Sequence, residues 1–121
     1  MPRYSATVMS HFTAPRNIGQ LERPDRVGLA GRPGQGRFVV MQLMMDEERV
    51  TAARFQSHGC GATIAAGSML TELVQGRTID ECRHLSADHL LLALGGLPAD
   101  KAHCAGFALA ALRNALEGDP N

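Results

Sequence analysis

No run of apolar residues in this sequence approaches the length of a membrane span, and its start lacks the apolar core of a secretory signal. A soluble chain without a membrane, in the cytoplasm, is therefore expected. Excess charge of either sign is also missing, with 12 Lys and Arg against 12 Asp and Glu. That balance argues against nucleic acid and against an anionic lipid surface as partners. There is no Cys-x-x-Cys, no His-Glu-x-x-His and no glycine-rich phosphate loop, so the common zinc, protease and nucleotide signatures are absent. No acid–base pair stands out, which ranks a redox or hydrolytic enzyme last and makes a non-enzymatic protein the expectation. Internal repeats and low-complexity stretches are missing as well. Cysteine is scarce: Cys60, Cys82 and Cys104 are odd in number and far apart, which fits a reducing compartment better than a disulfide framework.

What is present fits one globular domain. The 121 residues are 45% hydrophobic and 20% charged, enough to bury a core and unlike a disordered chain. A single domain over 1–121 is expected. Its charge is unevenly spread, because residues 1–37 carry six Arg against Glu22 and Asp25, about +4. A solvated face is the simplest account of that excess.

Hydrophobic spacing then divides the chain. Tyr4, Val8 and Phe12 share one helical face and predict a helix over 2–14, ended by Pro15. Residues 17–36 are rich in turn formers, with room for a brief strand near 27–31. Residues 38–45 are almost continuously apolar, which predicts a strand covered on both faces. The polar turn 46–49 and a second run over 50–57 complete a hairpin signal, hence an antiparallel sheet. Beyond Cys60 the period lengthens. Ala62, Ala65, Ala66, Met69, Leu70, Leu73 and Val74 form a helical stripe before Gly76. Thr78-x-x-Glu81 is a capping box for a short helix, and Ser86 caps another that Gly95-Gly96 stops. Pro98 and Asp100 are expected to open a last helix, striped with Ala105, Ala108, Leu109, Leu112 and Leu116 and ending before Gly118. Strands first and helices later predict an α+β class, with helices packed on an antiparallel sheet.

The chemistry centres on His58-Gly59-Cys60-Gly61-Ala62-Thr63, where the strand pattern gives way to the helix pattern. A thiol at a helix N-terminus meets unpaired N–H groups and the positive end of the helix dipole, which lower its pKa. Alone, a cysteine is most often a small buried hydrophobe. The glycines on either side weaken that account, because they leave the sulfur accessible. Cys104, on an apolar stripe, has a stronger claim to be core, but its neighbour His103 shifts the balance, since imidazole and thiolate are preferred ligands of zinc and iron. Cys82, between Glu81 and Arg83 away from any helix end, reads as structural. His58 at a strand end can join the site or simply bond to backbone, while His11, His84 and His89 read as surface or partly buried positions. A Cys–His nucleophile stays open, without a third orienting residue to nominate.

These residues, with others in order, resemble the iron–sulfur cluster assembly scaffold family, the IscU proteins and the N-terminal domain of NifU. The matching pieces are Tyr4-Ser5, Ala14-Pro15-Arg16-Asn17-Ile18-Gly19, Gly31-x-Pro33, Ala53-Arg54-Phe55, Gly59-Cys60-Gly61 and Leu97-Pro98-x-x-Lys101-x-His103-Cys104. The resemblance implies an N-terminal helix, a three-stranded antiparallel sheet and a helical C-terminal half. It also implies that loops at the sheet's end gather Cys60, His103 and Cys104 around iron, zinc or a labile two-iron two-sulfur cluster. Such scaffolds receive sulfur from a cysteine desulfurase and pass the cluster to iron–sulfur acceptor proteins, often with a chaperone.

The chain departs from that family where a Pro-x-Cys-Gly-Asp pattern is usual. Here Pro33-Gly34-Gln35-Gly36-Arg37 puts Gln35 at the cysteine and Arg37 at the aspartate. A neutral amide is a poor ligand beside thiolate, and a guanidinium cannot ligate at all. Arg37 would instead favour thiolate or persulfide anions and lower the pKa of Cys60 and Cys104. Two readings follow. One is a divergent scaffold holding its cargo through Cys60, His103 and Cys104, with the fourth position filled by water, a partner or a second copy in a homodimer. The other is a cluster-less relative that takes persulfide sulfur on Cys104 or binds a desulfurase. The chaperone-recognition stretch is also altered, at Pro98-Ala99-Asp100.

Overall fold

Ser5 opens the first element. In the computed structural model, which describes residues 3–117, its side chain accepts the Val8 N–H at 3.0 Å and caps α1, Ala6–Thr13. The expected helix over 2–14 is therefore shorter, because a serine in extended backbone is a better helix start than the residues before it. Tyr4 consequently precedes α1 and packs on the core from outside the helix, Val8 is buried, and Phe12 is 42% exposed.

Three strands follow, β1 (Arg26–Gly31), β2 (Phe38–Asp46) and β3 (Arg49–His58), in the order β1-β2-β3 with every neighbour antiparallel. Expectation and structure agree on the hairpin, which turns through Glu47 at φ 57. They differ on the burial of β2. Val39, Met41 and Leu43 are fully buried, but Phe38, Val40, Gln42 and Met44 are only half-buried, so the run is covered on one face. The helices lie on that face alone. On the other, the 17–21 segment gives partial shelter, with the Leu21 N–H donating to Gln42 Oε1 at 2.7 Å.

The β3 margin of the sheet is occupied, and one group of the β1 margin is taken. Along β3, the Phe55 N–H donates to Asn17 O at 3.0 Å and the Gly19 N–H to Phe55 O at 2.8 Å, while Val50 exchanges hydrogen bonds with Gly76 and Arg77. At the opposite margin, the outward N–H of Leu29 donates to the side-chain oxygen of Asn114 at 2.9 Å.

The helical half comprises α2 (Gly61–Val74), α3 (Ile79–Arg83), α4 (Ala87–Leu94) and α5 (His103–Glu117). Both expected caps are present, Thr78 with Glu81 and Ser86 with His89, each as a reciprocal box. The last helix starts later than expected. Residues 98–102 form turns, with the Lys101 N–H on Pro98 O at 2.8 Å and the Cys104 N–H on Lys101 O at 3.0 Å, so helical geometry begins only at His103. The expected stop at Gly118 lies outside the described residues.

Glycine lets the helices sit close to the sheet. A Cβ on Gly28 of β1 would overlap the backbone of Ala111 and Ala115 in α5, and one on Gly67 of α2 would meet the Phe55 ring at 2.7 Å. With α5 thus pressed on β1 and α2 on β3, Met41, Leu43, Phe55, Leu70, Leu109 and Leu112 fill the space between. Each such side chain contributes about 1.5–3 kcal/mol by leaving water. The same two dockings fix where the N-termini of α2 and α5 come to rest.

Candidate metal centre

Cys60 is the N-cap of α2, in extended backbone at φ −82 and ψ 173, with its carbonyl accepting the Thr63 and Ile64 N–H groups. Cys104 is the second residue of α5. Because those two helix starts meet beyond the end of the sheet, the sulfurs lie 4.0 Å apart. His103 Nε2 lies 3.8 Å from the Cys104 sulfur. The structure therefore brings Cys60 to Cys104 and Cys104 to His103. Cys60 is half-buried, Cys104 is 1% exposed and His103 is exposed.

Sequence reasoning missed Thr63. Its buried hydroxyl donates to the Cys104 sulfur at 3.5 Å and lies 3.7 Å from the Cys60 sulfur, so one oxygen touches both thiols. The available signal was its place three residues after an N-cap, where a side chain faces the cap.

Burial alone would push the Cys60 thiol up. The Thr63 backbone and hydroxyl, the Ala62 backbone and the Cys104 thiol outweigh it and bring Cys60 down to about 7. Cys104 goes the other way. Burial dominates and the neighbouring Cys60 adds to it, while Thr63 and the charge of Arg37 only partly offset them. Arg37 does lower Cys104, as expected, but burial outweighs it and the thiol is raised on balance. Cys60 is lowered by Thr63, Ala62 and the Cys104 thiol, with no contribution from Arg37. Cys82, 1% exposed in the core, is pushed up to about 11 by burial, as a structural cysteine should be.

Gln35 is exposed in a turn, its N–H donating to Arg32 O at 3.0 Å. Arg37 sits over the Phe107 ring, with 4.0 Å between guanidinium carbon and ring centroid. Phe107 stands three residues after Cys104, which places a fixed cation beside the buried thiol. His58 is exposed and stacks on Phe38 with 6.2 Å between ring centroids. His84 and His89 are exposed, as expected, but His11 is not: it is 4% exposed and joins a buried polar network.

The donors suit a thiophilic metal. Two thiolates on one tetrahedral zinc are about 3.8 Å apart at Zn–S distances of about 2.3 Å, close to the separation seen between Cys60 and Cys104. Among the described residues, however, no three His, Cys, Asp or Glu side chains are already gathered tightly enough to hold a metal ion. The structure offers a preformed two-sulfur edge, with an imidazole beside one end of it.

Comparison with known proteins bears on the whole chain. Residues 3–118 match the family model described as NifU-like N terminal domain. The chain is 42% identical over 113 residues to the iron–sulfur cluster assembly scaffold protein IscU 1 of Archaeoglobus fulgidus, covering 93% of this chain and 74% of that one. It is 37% identical over 116 residues to the iron–sulfur cluster assembly scaffold protein IscU of Aquifex aeolicus, covering 94% and 74%. The solved N-terminal structure of a nitrogen-fixing NifU-like protein from Brucella abortus shares the fold, with a TM-score of 0.71 at 21% identity over 97% of this chain and 96% of that one.

Proposed function

The chain belongs to the NifU-like N-terminal domain family, and from that membership we propose that it is a scaffold of iron–sulfur cluster assembly. Its cargo would be iron, zinc or a labile two-iron two-sulfur cluster, held by the sulfurs of Cys60 and Cys104 and the imidazole of His103. The observation that carries this reading is the 4.0 Å approach of the two sulfurs at the paired starts of α2 and α5. Helix N-termini favour anionic ligands there, which suits thiolates and a cluster that is negative overall. A cysteine desulfurase would supply the sulfur, and iron–sulfur acceptor proteins would receive the cluster. A chaperone would help the transfer, and water, a partner ligand or a second copy of the chain would fill the fourth position.

Anaerobic purification with metal analysis and absorbance spectroscopy, before and after reconstitution with iron and sulfide, tests the proposal. Metal bound by the wild type and lost in Cys60→Ser supports it. If the wild type stays metal-free and colourless while Gln35→Cys loads, the native chain is not a cluster carrier.

One observation favours a second reading, that Cys104 accepts persulfide sulfur. Arg37, stacked on Phe107, sets a permanent positive charge near an otherwise unfavourable buried anion. Mass spectrometry after incubation with a desulfurase and cysteine would show added sulfur on Cys104, and none if the reading is wrong.

A further inference from the structure

We propose that Cys60 and Cys104 are also a redox-active dithiol, closed to a disulfide by hydrogen peroxide and thereby shut to metal. The first basis is distance, since the sulfurs are 4.0 Å apart and both touch the Thr63 hydroxyl. The second is unequal access. Cys60 is half-buried at a helix start, whereas Cys104 is 1% exposed behind it. An oxidant therefore meets Cys60 first, and Cys104 is placed to resolve what forms. The third is that no other thiol competes. Gln35 stands where the family pattern has a cysteine, and Cys82 is buried in the core cluster on α3. Closing the bond needs the sulfurs to move about 2 Å nearer. Gly59 and Gly61 on either side of Cys60 leave its backbone free to adjust.

The chemistry is two successive displacements. The Cys60 sulfur attacks one peroxide oxygen, the O–O bond breaks, and the departing hydroxide takes up the thiol proton as water, leaving a sulfenic acid. The Cys104 sulfur then attacks the Cys60 sulfur, the S–O bond breaks, and the hydroxyl leaves with the Cys104 proton as a second water. Two thiols have lost two electrons in all, and the peroxide has gained them. Metal is held by thiolate rather than by disulfide sulfur, so the oxidised chain loses both sulfur ligands at once. That last consequence rests on the scaffold reading, and the dithiol itself does not.

The test starts from reduced, metal-free protein treated with one equivalent of hydrogen peroxide. Two of the three free thiols should vanish, peptide mass mapping should give a Cys60–Cys104 cross-link within one chain, and dithiothreitol should restore all three. In Cys104→Ala, Cys60 should accumulate as a sulfenic acid trapped by dimedone. In Cys60→Ala, the Cys104 thiol should survive the same dose. A dose that consumes Cys60 without that cross-link, or that links Cys82 or two chains instead, overturns the proposal. Zinc uptake, followed with a chromophoric indicator, separates the two readings. Uptake by the reduced chain and none by the oxidised one supports the closure, and equal uptake refutes it. A reduced chain that takes up neither zinc nor, with iron and sulfide, a cluster defeats the scaffold reading, while the cross-link still decides the dithiol.

Discussion

His11 Nδ1 lies 2.7 Å from Ser68 Oγ, joining the first helix to the middle of the second inside the core. The Ser68 hydroxyl also accepts the Arg16 N–H at 2.8 Å, and the far ring nitrogen of His11 is 3.2 Å from Glu72 Oε1. His11 and Ser68 together thus tie α1 and α2 to the loop that runs on to pair with β3.

Burial, followed by the charge of Arg16, holds the His11 pKa below 6.5, against a smaller opposing pull from Glu72. The unfolded chain therefore binds the proton more readily than the folded one. The stability owed to neutral His11 is complete above the unfolded value and is lost as pH falls through the lower folded value. Melting temperature should drop by a few degrees from pH 7 to pH 5, and His11→Gln should flatten that slope while lowering stability at pH 7. Thermal denaturation at matched ionic strength checks both.

The three thiols should react in a fixed order. Cys60, at about 7, is substantially thiolate at neutral pH, whereas Cys82, at about 11, is almost wholly protonated and buried. Thiolate fraction alone separates their alkylation rates by on the order of a thousandfold. Cys104, raised and buried, should follow Cys60 at a distance. Timed iodoacetamide labelling read by peptide mass spectrometry measures the order, and Cys82 reacting first would contradict it.

Gly28→Ala should destabilise the fold by about 1–3 kcal/mol or more, because the new methyl group meets helix backbone rather than a movable side chain. The expected accompaniment is loosened docking of α5 and hence a disturbed Cys104. Denaturant unfolding gives the first quantity, and a rise in the Cys104 labelling rate reports the second.

Arg37→Asp separates the two functional readings. Removing a cation and restoring a carboxylate should raise zinc or iron uptake roughly tenfold or more if the site is a cargo site. If Cys104 is a persulfide acceptor, the same change should lower persulfide accumulation on it. Competition against a calibrated chelator and persulfide labelling measure the two effects on one preparation.

Much of this was readable from residue order. Period and punctuation placed the hairpin, the Ala-rich helix after Cys60, and the capping boxes at Thr78 and Ser86, because those signals are local. The start of α5 was misplaced since Pro98 and Asp100 look like a helix opening but are spent in turns before His103. The one-sided burial of β2 was hidden because Val40 and Met44 are apolar wherever they point. At the site, Cys60, His103 and Cys104 were nominated from the chain alone, and their mutual distances follow from how α2 and α5 dock. Phe107 and His11 act through neighbours far away in sequence, and Thr63 reaches Cys104 across the fold, so only its place three residues after Cys60 was local. The Val8–His11 spacing on one helical face was the only hint that His11 turns inward.

An occupied sheet margin limits how this molecule can be approached. A partner peptide cannot join β3 as a further strand, since Asn17, Gly19, Gly76 and Arg77 already hold hydrogen bonds along it, and Asn114 takes the outward N–H of Leu29 on β1. Templated stacking of copies meets the same obstacle at β3, whereas β1, with Val27 and Leu29 exposed, is guarded at Leu29 by Asn114. At the β3 side recognition is therefore left to side chains, decided by shape and chemistry rather than by backbone pairing.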